Sequence, residues 1–376
     1  MGSRIRTLLI VMLAFAAGLP ARSSAQSEEG AGAVFVMTNS ASRNEIVAYK
    51  RNPDGSLQEG SRVSTGGRGS GGLTDPLGSQ GSLTLTTDRS FLLAVNAGSG
   101  TISVFRVHGA GLSLVDRIPC GGSEPVSVAQ RGNLVYVLNA GGSSNVVGFR
   151  LAFNGKLRPI EKSIKFLTTA NSGAASLAFS PDGQFLLVTE KLTNTVNVFR
   201  VQPDGTLGAI KPNASVGPGL FSVVFAPKGA AITTETGPAG GTNASAVSSY
   251  AVDTNGTLAP ISSSVPTLGA ATCWQVVTPD GRFVYTSNAG SSTISGFSIA
   301  ANGTLTPLPG TVVTTQPAGS TNLDIAISAN GKFLYTLNSG SGTVGMFGIN
   351  SDGSLTTLGE IGGLSASAGL NGIAAF

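Results

Sequence analysis

An all-β ring is the fold this sequence predicts: a seven-bladed β-propeller of four-stranded antiparallel blades. Three observations predict it. A β-rich run ending in Asn or Glu recurs seven times, as VFVMTN to Asn39, LLAVN to Asn96, VYVLN to Asn139, LLVTE to Glu190, AITTE to Glu235, VYTSN to Asn288 and LYTLN to Asn338. Successive ends lie 57, 43, 51, 45, 53 and 50 residues apart, a period that for all-β units means propeller blades. A tight turn recurs in every unit, at Asp54-Gly55, Gly109-Ala110, Asn154-Gly155, Asp204-Gly205, Asn255-Gly256, Asn302-Gly303 and Asp352-Gly353. Lastly, the C-terminal LNGIAAF reads as a first strand, while the chain after its leader opens on a second strand at Val34. The tail is therefore expected to complete the first blade and close the ring, leaving no open edge there.

The segment from Thr272 to Leu305 shows the unit most plainly. CWQVVT leads to Pro279-Asp280-Gly281, then RFVYTSN, then Ala289–Ser292, then TISGFSIA, then Asn302-Gly303 and a last strand from Thr304. Asp-Gly and Asn-Gly between β-rich runs form tight hairpins, because Gly and Asn accept the positive φ those turns require. The first turn of the unit recurs six times, at Asp88-Arg89, Arg131-Gly132, Asp182-Gly183, Lys228-Gly229, Asp280-Gly281 and Asn330-Gly331. A seventh is absent because the first strand of blade one lies at the far end of the chain.

Alternating strand direction sorts these features onto two faces. First strands begin and second strands end on one face, here the top; the first and third turns lie on the bottom. Arg89, Arg131, Lys228, Arg282 and Lys332 make the bottom basic, read as solvated turns because no aromatic residues interleave them. The top gathers Asn39, Asn96, Asn139, Glu190, Glu235, Asn288 and Asn338, with Ser82, Pro125, Ser176, Ser222, Trp274 and Asp324 opening the first strands. Asn96, Asn139, Asn288, Asn338, Ser176, Asp324 and Trp274 are thus candidate ligand-binding residues. Turn-forming by the Asn side chains is the competing reading, and for Trp274 packing between blades competes with stacking on a sugar or ring. Two top connections, Thr65–Gly81 and Thr236–Ser245, are long and Gly-rich, as binding loops or as slack insertions.

The first 25 residues read as a secretory signal: Arg4 and Arg6 precede the apolar run Leu8–Ala17, and Ser23-Ser24-Ala25 offers a cleavage point. The expected domain organisation is signal 1–25 and a single propeller 26–376, periplasmic or extracellular, with no membrane span after cleavage. The signal carries Arg4, Arg6 and Arg22 of the chain's 23 Lys and Arg against 19 acids, all of which lie beyond it. The exported chain is then close to neutral, which argues against nucleic acid as a partner. Cys120 and Cys273 are expected to be separate, half-buried thiols.

Inventory limits the chemistry. His108 is the only histidine and falls at a bottom turn, which excludes a His-dependent triad or a His-rich metal site at the top. No motif requires a cofactor, although Ca²⁺ or Mg²⁺ held by carboxylates in the channel remains open. What is left is carboxylate chemistry, with Glu190 and Glu235 as candidate catalytic acids and Lys191 beside the first.

The PDG-x-F repeat, the DG-x-L hairpins and the NAGS-x-TIS turn resemble the lactonase family of seven-bladed propellers over essentially the whole exported chain. The family includes propeller-type 6-phosphogluconolactonases and the fungal carboxymuconate lactonising enzyme. That resemblance implies a middle blade opening with Gly-Pro-Arg-His and a paired strand ending Asn-Glu. The corresponding residues here are Gly173, Ala174, Ala175 and Ser176, then Glu190 and Lys191, so Arg and His are replaced and the acid arrives one residue early. Two functions stay open. One is an exported lactonase acting on an unphosphorylated lactone or sugar derivative, with Glu190 or Glu235 activating water and Lys191 or backbone donors steadying the oxyanion. The other is a non-catalytic propeller binding a carbohydrate, peptide or partner protein at the same mouth.

Overall fold

The computed structural model describes residues 1–2, 32–237 and 243–376. Apart from residues 1–2, the segment expected to be a signal lies outside the described residues, as does the middle of the second Gly-rich connection. Seven antiparallel sheets follow one another. Their innermost strands are Ile373–Ala375, Leu83–Leu85, Ser123–Arg131, Ala174–Phe179, Leu220–Phe225, Thr272–Val277 and Asn322–Ile327, and each packs against the next around a closed circle. Blade one is completed as expected: Val34 pairs with Ala375, Phe35 with Ala374 and Val36 with Ile373. Only the third blade departs from four strands, its outer edge being split into Leu157–Pro159 and Lys165–Phe166.

The second strands form the core because both their faces are covered by neighbouring blades. Phe91–Asn96, Phe185–Glu190 and Phe283–Asn288 are buried at every position. Such strands read as continuous apolar runs rather than alternating ones. Each begins from a first turn that Ser or Thr organises. Thr278 donates to Asp280 Oδ1 (2.6 Å) and accepts from the Phe283 amide (3.0 Å), and Thr86, Ser180 and Ser328 repeat the arrangement.

The third turns stitch one blade to the next. The Tyr136, Tyr285 and Tyr335 hydroxyls donate to the carbonyls of Gly205, Gly353 and Gly55, each in the following blade, at 2.7, 2.7 and 3.0 Å. Arg150 adds a bond to the Asp204 carbonyl at 2.8 Å. Arg106 and Arg200 reach the carbonyls of Phe153 and Thr254 while lying over the rings of Phe91 and Phe185. Buried polar groups must be paired, so losing one partner leaves a dry carbonyl unsatisfied. Tyr285→Phe is therefore expected to lower unfolding stability by about 1 kcal/mol, read from chemical denaturation; a wild-type midpoint would show that the suture carries nothing. Cys120 and Cys273 are free thiols, and both are buried rather than half-buried.

Candidate functional site

The strand-end residues are placed differently from a simple lining of the channel. Asn96 accepts from Thr65 Oγ1 (2.6 Å) and Asn44 Nδ2 (3.0 Å) and donates to Ser103 (2.8 Å) and Thr101 (3.1 Å). Asn288 repeats this with Thr272, Ser295 and Thr293. Asn338 bonds to Thr343, Glu360 and Thr336, and Asn139 donates to Asn145. All four amides are fully buried, each bonded to the third strand of its own blade and Asn96 also to Thr65 and Asn44 of blade one. Glycines permit that approach: a Cβ on Gly67, Gly122 or Gly269 would fall 2.5, 2.6 or 2.4 Å from the side chain of Asn96, Asn139 or Asn288. The sequence carried this signal in Thr65-Gly66-Gly67, Cys120-Gly121-Gly122 and Thr267-Leu268-Gly269, just after each outer strand.

The two glutamates occupy the same latch position. Glu190 Oε1 accepts from the Thr168 amide (2.9 Å), and Oε2 accepts from the hydroxyls of Thr193 (2.6 Å) and Thr168. Glu235 accepts from Ser248 (2.5 Å) and Ser264 (2.7 Å), and it lines a cavity of about 330 Å³ with Pro218, Asn243 and Ser245. Glu190 and Glu235 are thus held apart from each other in separate blades, Glu190 by hydroxyl and amide donors and Glu235 by two hydroxyls.

A different set of residues meets at the top of the channel. The first strands of blades three to seven each carry a β-bulge at their opening: Pro125/Ser127, Ala174/Ser176, Leu220/Val223, Thr272/Trp274 and Leu323/Ile325. A bulge re-aims the side chains beside it. It falls at Ala175, Phe221, Cys273 and Asp324, the last of them among the residues expected at the first-strand openings. Lys191 lies here, its ammonium 5.1 Å from the Phe221 ring centre and 2.5 Å from the Gly78 carbonyl.

Gly78 belongs to the long connection after blade one, which runs into the channel instead of over the surface. Leu73 O accepts from Gly369 N (2.9 Å), and Asp75 Oδ1 accepts from Asn371 Nδ2 (3.2 Å) and Gly78 N (3.0 Å). Ser79 donates to Val126 O (2.8 Å) and accepts at its carbonyl from Trp274 Nε1 (2.8 Å). Gln80 then spans the axis. Its amide nitrogen donates to Ala175 O (3.0 Å), its carbonyl accepts from Ser127 Oγ (2.6 Å), and its side chain exchanges bonds with the Gln275 backbone at 2.6 and 3.2 Å. Blades three, four and six are joined through one residue of blade two's own leader. Trp274 is correspondingly buried, edge-on to Phe221 at 5.2 Å.

Burial decides the electrostatics of this plug. It pushes the Asp75 carboxyl up to about 7, against the opposing pull of Lys191 and the Gly78 and Asn371 bonds. Asp324 is also raised to about 7 by burial, with Asp75 adding repulsion and the amides of Ile325 (2.9 Å) and Ile373 (3.1 Å) working against it. Desolvation lowers Lys191, while Asp75 holds it up. Burial raises the Cys273 thiol well above its ordinary range. Shifted groups facing one another at a mouth are what proton transfer requires, but Lys191 is already bonded to the Gly78 carbonyl, and Asp75 already accepts from Gly78 and Asn371. Among the described residues, no three or more His, Cys, Asp or Glu stand together as an ion site. No helix among them is long and apolar enough to cross a membrane.

Comparison with known proteins bears on the whole ring. The family described as "Lactonase, 7-bladed beta-propeller" matches residues 29–169 and 231–323, more than half of the chain. No curated protein matches. Among solved structures, a candidate 6-phosphogluconolactonase from Bacteroides uniformis superposes with a TM-score of 0.68 at 21% identity, covering 92% of this chain and 100% of that one. The periplasmic gluconolactonase of Pseudomonas aeruginosa gives 0.68 at 19%, over 92% and 99%. A protein from Lactobacillus plantarum gives 0.69 at 17%, over 92% and 98%. At such identities these likenesses speak to the fold, and with the family match they lead to one statement: the chain belongs to the lactonase family of seven-bladed β-propellers.

Proposed function

We propose that this protein is an exported propeller of the lactonase family that recognises its ligand without hydrolysing it at the top mouth. The observation that carries this reading is Gln80, bonded across the axis to Ala175, Ser127 and Gln275. A water-activating carboxylate must reach both water and substrate carbonyl. With the channel spanned, and with Glu190 and Glu235 engaged by Thr and Ser donors, neither has that access. The ligand class in view is a carbohydrate, a peptide or a partner protein. Export follows from the leader of Arg4, Arg6 and the apolar run behind them.

One observation favours hydrolysis of an unphosphorylated lactone instead: Asp75, with a carboxyl near 7, faces Lys191 at the mouth. That pair could serve as base and oxyanion partner only for a substrate that reaches it from the top face, beside the segment that carries Asp75. The two readings separate in a panel of aldonolactones with and without phosphate, followed by a pH indicator. The expected outcome is the uncatalysed rate for wild type and for Lys191→Met alike. Turnover by wild type that disappears in Lys191→Met would replace the binding reading with the hydrolytic one.

A further inference from the structure

Below the Gln80 crossing, the first strands of the channel enclose a vestibule. Its ceiling is Gln80 and Gly81, and its wall is formed by the first strands of blades two to five. It encloses about 280 Å³ and includes Thr84, Gln130, Arg131 and Ser176 in its lining. A second recess of about 710 Å³ adjoins it at the bottom rim, sharing Thr87, Gln130, Arg131 and Phe179. The inner space sits near the lower end of the range of about 300–1,000 Å³ found for small-molecule sites.

Arg131 stands at the junction of the two. Several other cations of this face are structurally engaged. Arg282 pairs with Asp280 at 2.8 Å, Arg150 bonds to Asn133 and Asp204, and Arg106 and Arg200 lie on phenylalanine rings. Arg131 instead crosses to blade four and packs over Gly183, whose Cβ, if present, would fall 2.5 Å from Nε and 3.0 Å from Cδ. Gly183 has φ +75°, so a side chain there is disfavoured by conformation as well as by space. The guanidinium is therefore positioned by its cradle. Asp182 beside it feels its charge but is already committed to Ser180 Oγ (2.6 Å) and the Gln184 amide (3.0 Å). Deeper in, Thr84 donates to Val128 O and keeps its hydroxyl oxygen free to accept, while at the rim Gln130 Oε1 takes both the amide and the hydroxyl of Thr87.

We propose that this vestibule is a binding site for a small hydroxylated carboxylate, its anion held at the rim by Arg131 and its hydroxyls by the polar wall below Gln80. A planar guanidinium fork matches a carboxylate through two parallel hydrogen bonds, and the ceiling at Gln80 limits the length of what enters. The site is separate from the top mouth, so lactone turnover there would leave it standing.

The test is ligand-dependent melting of the full exported chain with sodium gluconate as probe, sorbitol as its neutral counterpart and sodium chloride as the ionic control. Gluconate is expected to raise the midpoint saturably while sorbitol and chloride do not. Arg131→Gln should abolish the shift with the unliganded midpoint unchanged, because Arg131 stands at the solvent-facing end of its strand. Ala178→Phe, which fills the vestibule from its wall, should abolish it as well. No saturable shift in wild type, an equal shift from sorbitol, or a gluconate shift that persists in Arg131→Gln would each overturn the proposal.

Discussion

A chain truncated after Gly369 is expected to lose cooperative folding. Removing Leu370–Phe376 strips Val34, Phe35 and Val36 of their partner strand, together with the bonds from Met37 N to Gly372 O (3.0 Å) and between Ala33 and Phe376 (3.0 and 3.2 Å). It also removes the buried side chains of Leu370 and Ile373, each worth roughly 1.5–3 kcal/mol of apolar burial. Their sum with the lost hydrogen bonds is a large fraction of the roughly 5–15 kcal/mol that holds a domain together. The strand Gly32–Met37 would become a long apolar edge, the kind that templates aggregation. Low soluble yield and the absence of a sharp thermal transition are the expected readouts. A permuted chain, with residues 370–376 joined by a tight turn ahead of Gly32, should recover both, because the Phe376 carbonyl already lies beside the Ala33 amide. A truncated chain that melts like the full one would mean the ring is not closed by this strand.

Stability is expected to fall as pH rises from about 4 to above 7. Asp324 and Asp75 have folded-state values near 7 against an unfolded value of 3.8. Between those limits the folded chain holds more protons than the unfolded one, so raising the pH favours unfolding. Their contribution is complete below about pH 4 and is lost as pH passes 7. For fully buried Asp324 that rise corresponds to up to roughly 4 kcal/mol; Asp75 keeps some solvent contact and counts for less. The exposed turn acids act in the opposite sense but in another window. Asp280 feels a burial penalty that its Thr278 and Arg282 partners together outweigh, holding it down to about 2, so its contribution is lost only as pH falls toward that value. Denaturation midpoints at pH 5 and pH 8 should therefore favour pH 5. Asp324→Asn should flatten the difference, although its single acceptor oxygen can serve only one of the Ile325 and Ile373 amides and absolute stability will drop. A pH-independent wild-type midpoint over this range would remove the buried acid pair from the account.

The repeat made the ring legible because its units are local. The Asp-Gly and Asn-Gly turns demand positive φ within a few residues, and the apolar second strands announce themselves by composition, so blade number and tail closure could be read along the chain. The site was not legible in the same way. Strand direction placed Trp274 and Ser176 at first-strand openings without saying where an extra residue of each strand would fall. The bulges at Thr272/Trp274 and Ala174/Ser176 instead put Cys273 and Ala175 at the bulged positions, and a bulge has no reliable mark in a single sequence. Glu190 and Glu235 looked chemical because they are charged residues in a series of amides. Among Thr168, Thr193, Ser248 and Ser264 they do the amides' work as latches. Nothing in the composition of Thr65–Gly81 distinguishes a loop over the surface from one through the axis.

By itself, the sequence determined that seven similar sheets would stand in a closed circle, since hairpin chemistry and strand burial are properties of neighbouring residues. The tertiary structure alone decided what the circle encloses. Gln80 finds its partners about 47, 95 and 195 positions further along, and contacts at such separations depend on where the blades converge. Once they converge, unpaired backbone groups in a dry channel must find partners, and the leader of blade two supplies them.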